Sequence, residues 1–275
     1  MVDAPTADRP GVLRSYRVVV GSRIRAQTSY RTSFTVDVLS SVLFAGVDLT
    51  EVYVIFHNIP TLGGLDLPAA LLVFGLSMAG FSLANTVCGQ LDTIPRYIRT
   101  GTLDVMLLRP QPLLAQLLTT DVSLRRLGTG AVGVAVLAVS LTSVPVHWTA
   151  ARVLLLVTTP LSAAGVFVAL FIAAGAVQFW LVDAAEVTNA FTYGSAYAAH
   201  YSSAVLPVPV RLTFAFIVPA AFTGYLPALA LLGLPGPAWL PAWLGWCTPG
   251  MAVVALTVAL LLWRRGVRHY SGAGG

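Results

Sequence analysis

Lysine is absent from the chain, cysteine occurs twice, and charged residues of both signs make up only 10% of its 275 residues. Without lysine there is no P-loop amine for a nucleotide phosphate, no Schiff-base nucleophile and no Ser/Lys dyad. Cys88 and Cys247 stand in different apolar segments with no CxxC or paired spacing. They suggest neither a disulfide framework nor a zinc site, and both read as small apolar filler. The shortage of charge excludes most. An ordinary soluble domain has about 25% charged residues to cover its core. Here 16 basic and 11 acidic side chains face a chain that is 57% hydrophobic, with a mean hydropathy of +0.81. That balance requires a polytopic membrane protein.

The basic charge comes entirely from arginine, and the formal net charge is +5. The arginines stand in short clusters between apolar runs, which suits anionic headgroups and topology rather than nucleic acid. Six stretches reach the roughly 20 apolar residues that a spanning helix needs: Phe34–Phe56, Leu67–Cys88, Leu127–Val146, Val153–Val182, Val208–Leu232 and Trp243–Trp263. Pro160 interrupts the fourth and predicts a tilt, a kink or a cytoplasmic extension. Pro219 and Pro227, with Gly224 between them, predict that the fifth breaks near the outer face and dips back. With these spans all the arginines but Arg152 fall on one side, so both termini are placed in the cytoplasm.

Residues 1–32 hold six arginines and no apolar run long enough for a signal-peptide core, so they are expected to stay cytoplasmic. Within them Val12, Leu13, Tyr16, Val19, Val20 and Ile24 recur near helical spacing among Arg14, Arg17, Arg23 and Arg25. This predicts a basic amphipathic helix over Gly11–Tyr30 on the inner leaflet. The outward connections, His57–Asp66, Pro145–Arg152 and Gly233–Ala242, are short. The expected architecture is all-α, with six transmembrane helices in one domain over 1–275: a cytoplasmic amphipathic segment (1–32), a six-span bundle (34–263) and a cytoplasmic tail (264–275). Gly165, Ala169 and Ala173 form a small-residue ridge on the fourth span, suited to close helix contact within the bundle or across a subunit interface.

The connection from Gln90 to Pro110 is far longer than a turn. Asp92 or Thr93 is placed to cap a short helix, Pro95 suits its first turn, and Gly101 ends it. Ile94, Tyr97 and Ile98 then form an apolar face beside Arg96 and Arg99. A second element, Thr102 to Leu108, is closed by Arg109-Pro110. Held at the membrane surface, the pair reads either as a docking knob for a soluble partner or as an interfacial anchor.

Gly101, Leu103, Asp104, Leu107 (or Leu108), Arg109 and Pro110 resemble the Gly-x-Leu-Asp-x-x-Leu-x-Arg-Pro signature of one branch of bacterial ABC transporter permeases, the six-span, type-2, exporter-like class. Phe216 to Pro227 is similar to that branch's Pro…Phe…Tyr-x-Pro pattern, carried here by Pro219, Phe222, Tyr225 and Pro227. The resemblance implies a multi-pass permease of the bacterial plasma membrane that exports amphipathic drugs, peptides or lipids. It implies pairing with a second permease, as homo- or heterodimer, and with ATP-binding cassette ATPase subunits that hold ATP and Mg. This chain would then be no enzyme, bind no cofactor or metal itself and take no nucleic acid, with membrane lipid as its other neighbour. It also implies that the helix between spans 2 and 3 is a coupling helix seated in a cleft of the ATPase. By position its residues would be Asp92, Pro95, Arg96, Tyr97, Ile98 and Arg99, supported by Leu103, Asp104 and Arg109. The lack of lysine and of a G-x-x-x-x-G-K-[ST] loop agrees with ATP hydrolysis in another chain.

A rival reading rests on Asp48 and Glu51, three residues apart and so on one side of the first span. A charge at the bilayer centre costs roughly 2.5–3.5 kcal/mol on insertion scales. A protonated pair, an Arg partner or a wet cavity would relieve it, as in a proton- or ion-coupled secondary transporter. On the family resemblance the same pair lines the transport path or an interface, together with Pro219, Phe222, Tyr225 and Pro227. The stretch from Asp183 and Glu186 through Tyr193, Tyr197, His200 and Tyr201 reads as an interfacial helix or a second ATPase contact. An intramembrane enzyme is disfavoured: His57, His147, His200 and His269 lie at or beyond span ends, and neither HExxH nor G-x-S-x-G occurs.

Overall fold

A backbone in hydrocarbon has no water to bond, so it must satisfy its own polar groups, which a single segment does only as a helix. The computed structural model describes residues 21, 22, 25, 31–120, 123–181, 185–199, 213, 217–237 and 240–272. Among them every regular element is helical. In chain order they are α1 (Arg31–Asn58), α2 (Leu67–Cys88), α3 (Ile94–Arg99), α4 (Thr102–Leu107), α5 (Leu113–Thr120), α6 (Leu127–Ser143), α7 (Ala150–Val177), α8 (Ala185–Ala199), α9 (Tyr225–Leu232) and α10 (Thr248–His269). Short 3-10 turns cover Gly89–Thr93, Leu124–Arg126, Ala220–Phe222 and Ala242–Cys247. Most of the expected amphipathic helix over Gly11–Tyr30, and most of the expected fifth span before Ile217, lie outside the described residues.

Among the described residues four helical runs are long and apolar enough to cross a membrane: Phe34–Asn58, Leu67–Arg99, Ala150–Val177 and Ala242–His269. These correspond to the expected first, second, fourth and sixth spans. The third, Leu127–Ser143, has 17 residues, the lower edge of the spanning range. The described part of the fifth departs from a straight span. A 3-10 turn over Ala220–Phe222 is followed by Thr223 and Gly224, and only then by the eight residues of α9. Pro219 gives up a backbone donor there, and Gly224 lets the break lie flat on α2, since a Cβ on it would come 2.6 Å from the Val73 carbonyl oxygen. Pro227 sits in the first turn of α9, where its missing N–H costs nothing. Pro160, by contrast, does not interrupt its helix, which continues through it for 28 residues.

α2 is the central helix, and its neighbours approach on glycine. A Cβ on Gly75 would fall 2.8 Å from that of Leu137 in α6, and one on Gly80 would fall 2.5 Å from that of Ala163 in α7. From the α6 side, Gly133 is as tight against Ala79, where a Cβ would lie 2.9 Å from the backbone nitrogen. Contact this close gives dispersion and backbone proximity that bulkier residues would prevent. The ridge of Gly165, Ala169 and Ala173 turns inward: Gly165 faces Ala252 of α10, where a Cβ would stand 3.2 Å from that of Ala252.

At one end of the bundle Asp66 caps α2 by accepting from the Ala69 N–H at 3.1 Å, and Thr149 caps α7 by accepting from the Arg152 N–H at 3.3 Å. The Arg152 guanidinium donates there to the His147 carbonyl at 2.8 Å. At the other end, the end of α2 and the ends of α7 and α10 share one core with the 89–120 segment, built around Leu91, Ile94, Phe171, Phe179 and Trp263.

Gly80→Val or Gly133→Val is expected to destabilise the purified protein by roughly 1–3 kcal/mol through overpacking. Thermal unfolding in detergent would show this as a midpoint lowered by several degrees. Gly46→Ala, which meets nothing within 4 Å, should leave the midpoint nearly unchanged. Equal behaviour of the three variants would mean that these helix contacts do not hold the bundle together.

Candidate functional site

The chain leaves α2 through a tight 3-10 turn, and two short helices follow, set at an elbow. Gly101 makes that elbow: its φ of 67° lies in the left-handed region that L side chains avoid, and it stands directly between α3 and α4. Pro95 occupies the first turn of α3, as the sequence predicts. Capping differs from expectation. Neither Asp92 nor Thr93 caps α3; the Thr93 hydroxyl donates to the Gln90 carbonyl at 2.7 Å, and Asp92 accepts a hydrogen bond from Tyr193 at 2.8 Å.

The two short helices have opposed faces. Ile94, Ile98, Leu103 and Met106 are buried in the core shared with α7 and α10, and Pro95 is buried with them. Arg96, Arg99 and Arg109 are exposed. Tyr97 is half-buried, with the Arg96 guanidinium 5.6 Å from its ring centre, within cation–π range. Val105 and Leu107 also face outward, and Leu108 is 87% exposed. Of the residues expected to couple to a partner, Pro95 and Ile98 are buried, as is Leu103, expected to support them. The outer surface consists of arginines around an exposed leucine.

Polar contacts tie this segment to α5, to α8 and to the residue that follows α10. Tyr193 of α8 donates to Asp92, and its ring packs edge-on against Phe81 and Phe171 at 5.8 and 5.9 Å. Tyr270, just beyond α10, donates to Asp104 at 2.9 Å. Burial and then this bond push the Tyr270 hydroxyl up to about 12, so it remains a donor at neutral pH. Gln116 of α5 donates to the Met106 and Gln111 carbonyls, both at 2.9 Å, and Gln90 donates to the Leu118 carbonyl at 3.0 Å. Arg126, at the start of α6, donates to the carbonyl and side chain of Asn85 in α2 at 2.6 and 2.7 Å. Its cation thus sits at the negative end of a helix dipole. Gly89 leaves the space for it, because a side chain there would occupy the position of the guanidinium.

Asn85, Arg126 and Tyr270 carry no local signal for this site, and Tyr193, in the stretch read as an interfacial helix or a second ATPase contact, has none that pairs it with Asp92. Their partners lie 41, 101 and 166 residues away, so no local pattern could mark them. The stretch read as an interfacial helix or a second ATPase contact is described over α8, one face of which packs into the bundle, while Asp183, His200 and Tyr201 lie outside the described residues. Thr188, Thr192, Ser195, Ala196 and Ala199 are buried along one face, and Gln178 donates to Thr188 at 2.9 Å. Small side chains at helical spacing permit that approach.

The other expected site residues are placed separately. Asp48 is half-buried and Glu51 exposed on α1, where the Tyr197 hydroxyl of α8 donates to Glu51. Pro219, Phe222, Tyr225 and Pro227 are all buried, and Phe222 and Tyr225 share a core with Leu72, Val73 and Leu76 of α2. Behind them Thr223 and Ser77 share a hydrogen bond of 3.3 Å.

Residues 42–274 match a family described as ABC-2 family transporter protein. No curated protein and no solved structure matches the chain.

Removing one hydroxyl at a time tests whether these bonds hold the elbow. Tyr193→Phe keeps the ring contacts and loses only the bond to Asp92; Tyr270→Phe loses the bond to Asp104. Each should lower the local opening free energy by about 1 kcal/mol, or roughly fivefold faster amide exchange over 89–107. Hydrogen-exchange mass spectrometry reads this directly, and unchanged exchange in both variants would show that the bonds do not hold the segment.

Proposed function

From the premise that the chain belongs to the ABC-2 transporter family, we propose that it is the six-span permease subunit of an ATP-driven exporter, and that α3 and α4 are the element through which a separate ATPase drives it. The membrane component is not itself the ATPase, so ATP and Mg reside on the partner. The observation that carries the reading is the two-faced elbow. A docking element must offer an exposed surface to its partner and be rigidly joined to what it moves. Arg96, Arg99, Arg109 and Leu108 supply the first. Ile94, Ile98, Leu103 and Met106, with the bonds to Tyr193 and Tyr270, supply the second.

In this reading the arginines lie in the cytoplasm of a bacterial cell, following the positive-inside rule. A second permease, the same chain or a homologue, completes the transport path, with Asp48, Glu51 and the 219–227 segment lining the path or the interface. The cargo is amphipathic, of the drug, peptide or lipid class. Closure of the ATPases pushes the elbow, and α2, α8 and α10 move with it because the elbow shares their core. ATP drives the cycle only if the two arrangements of the bundle differ in affinity for the cargo or for the ATPase.

Arg96→Glu and Leu108→Asp test the reading, since both side chains are exposed and neither substitution disturbs the core. Each is expected to leave membrane insertion intact, to reduce recovery of a Walker-A ATPase in a mild-detergent purification by at least tenfold, and to abolish ATP-dependent export. Wild-type recovery and export by both variants would overturn the coupling assignment. If no ATPase is recovered with the wild-type chain, and transport instead follows a proton gradient and is lost in Asp48→Asn and Glu51→Gln, the secondary-transporter reading replaces it.

A further inference from the structure

Beside the elbow, on the same end of the bundle, α5 and α10 enclose an open groove of about 380 Å³. Its α10 wall carries Leu260, Trp263, Arg264, Val267 and Arg268, spaced three and four apart so that they share one helix face. Pro112, Leu113 and Leu114 form the α5 wall. The groove has a polarity. Leu260 lies two turns, about 12 Å, deeper along α10 than Arg268. The lining therefore passes from apolar side chains within the span to two exposed guanidinium groups at its end. Neither Arg264 nor Arg268 has a hydrogen-bond or acidic partner among the described residues.

We propose that this groove binds an anionic phospholipid of the leaflet on that side, with its phosphate on Arg264 and Arg268 and an acyl chain along Leu260, Trp263 and the α5 wall. The charge complementarity is specific in kind. Two guanidinium groups one turn apart are placed to share one phosphate through charge-assisted bonds, and basic pockets between membrane helices favour anionic headgroups. A soluble phosphate would satisfy the arginines but leave the apolar wall unused. A zwitterionic lipid would fill the wall but bring an ammonium group to the arginines. Only an anionic lipid satisfies both parts. The site is distinct from the proposed docking face, since none of Arg96, Arg99, Leu108 or Arg109 lines it, and it depends neither on the ATPase nor on which side faces the cytoplasm. Because α5 also holds Met106 through Gln116, a lipid seated there would brace the elbow from the membrane side.

Native mass spectrometry of the full chain in mild detergent, titrated with phosphatidylglycerol or with phosphatidylcholine of the same acyl chains, tests the site. The expected result is one tightly retained phosphatidylglycerol. At about 1 kcal/mol per arginine near an anionic surface, the Arg264→Gln/Arg268→Gln double variant should retain it roughly thirtyfold less tightly. Leu114→Trp, which keeps both arginines and fills the groove, should also weaken retention. Arg265→Gln, exposed but outside the groove, should leave it unchanged. Equal retention of the two lipids would overturn the proposal, as would wild-type retention by both the double variant and Leu114→Trp. So would an equal loss in Arg265→Gln, which would indicate diffuse surface charge, or displacement by millimolar glycerol phosphate, which would indicate a soluble phosphate site.

Discussion

Apolar side chains gain little by leaving lipid for one another, so membrane helices hold together only where they come close enough for dispersion and backbone contact to exceed what lipid offers. In this chain that closeness is concentrated on α2. Gly75 and Gly80 on α2, with Gly133 from α6, remove the side chains that would otherwise hold the helices apart, and α6 and α7 settle against α2 on either side. The positions of the other elements follow. The split 219–232 segment lies on α2 through Gly224, α10 lies on α7 through Gly165, and the elbow hangs from the end of α2.

The elbow shows how a short surface element is made mechanically stiff. Helices of six residues are too short to be stable alone, and here they do not stand alone. Their apolar faces complete a core made by α7 and α10, and Asp92 in the turn before them and Asp104 in α4 are held by tyrosines from α8 and from the end of α10. Force applied at Arg96 or Leu108 is thus shared by several helices. The same arrangement explains the unusual exposure of Leu108, since the buried positions of α4 are already taken by Leu103 and Met106.

Local chemistry was legible in the sequence and distant chemistry was not. The bounds Leu67–Cys88 of the second span coincide with α2 because both ends carry local signals, Asp66 with Pro68 at the start and Gly89 after the end. Pro95 and Gly101 marked the elbow for the same reason. Asp92 was read as a cap because its neighbours suggested one, but its partner Tyr193 lies 101 residues further on. The packed face of α8 was hidden in a stretch whose tyrosines and acids suggested an interface, while the small residues that bury it drew no notice. In the fifth span the prolines and glycine marked the break, but composition alone could not show how short the helix beyond it would be.

The two ends of α2 also bear on how the protein sits in lipid. The exposed Asp66 carboxylate stands at one end, and near the other the Arg126 cation is pinned to Asn85. Nineteen residues separate Asp66 from Asn85, about 29 Å at 1.5 Å per residue, which is close to the roughly 30 Å hydrocarbon thickness of a typical bilayer. Because Arg126 is held by two hydrogen bonds, it is not free to extend toward water as a loose arginine would. The bundle therefore carries its own depth gauge. A thinner membrane can be met by tilting about the fixed charges, but a thicker one has to thin around them.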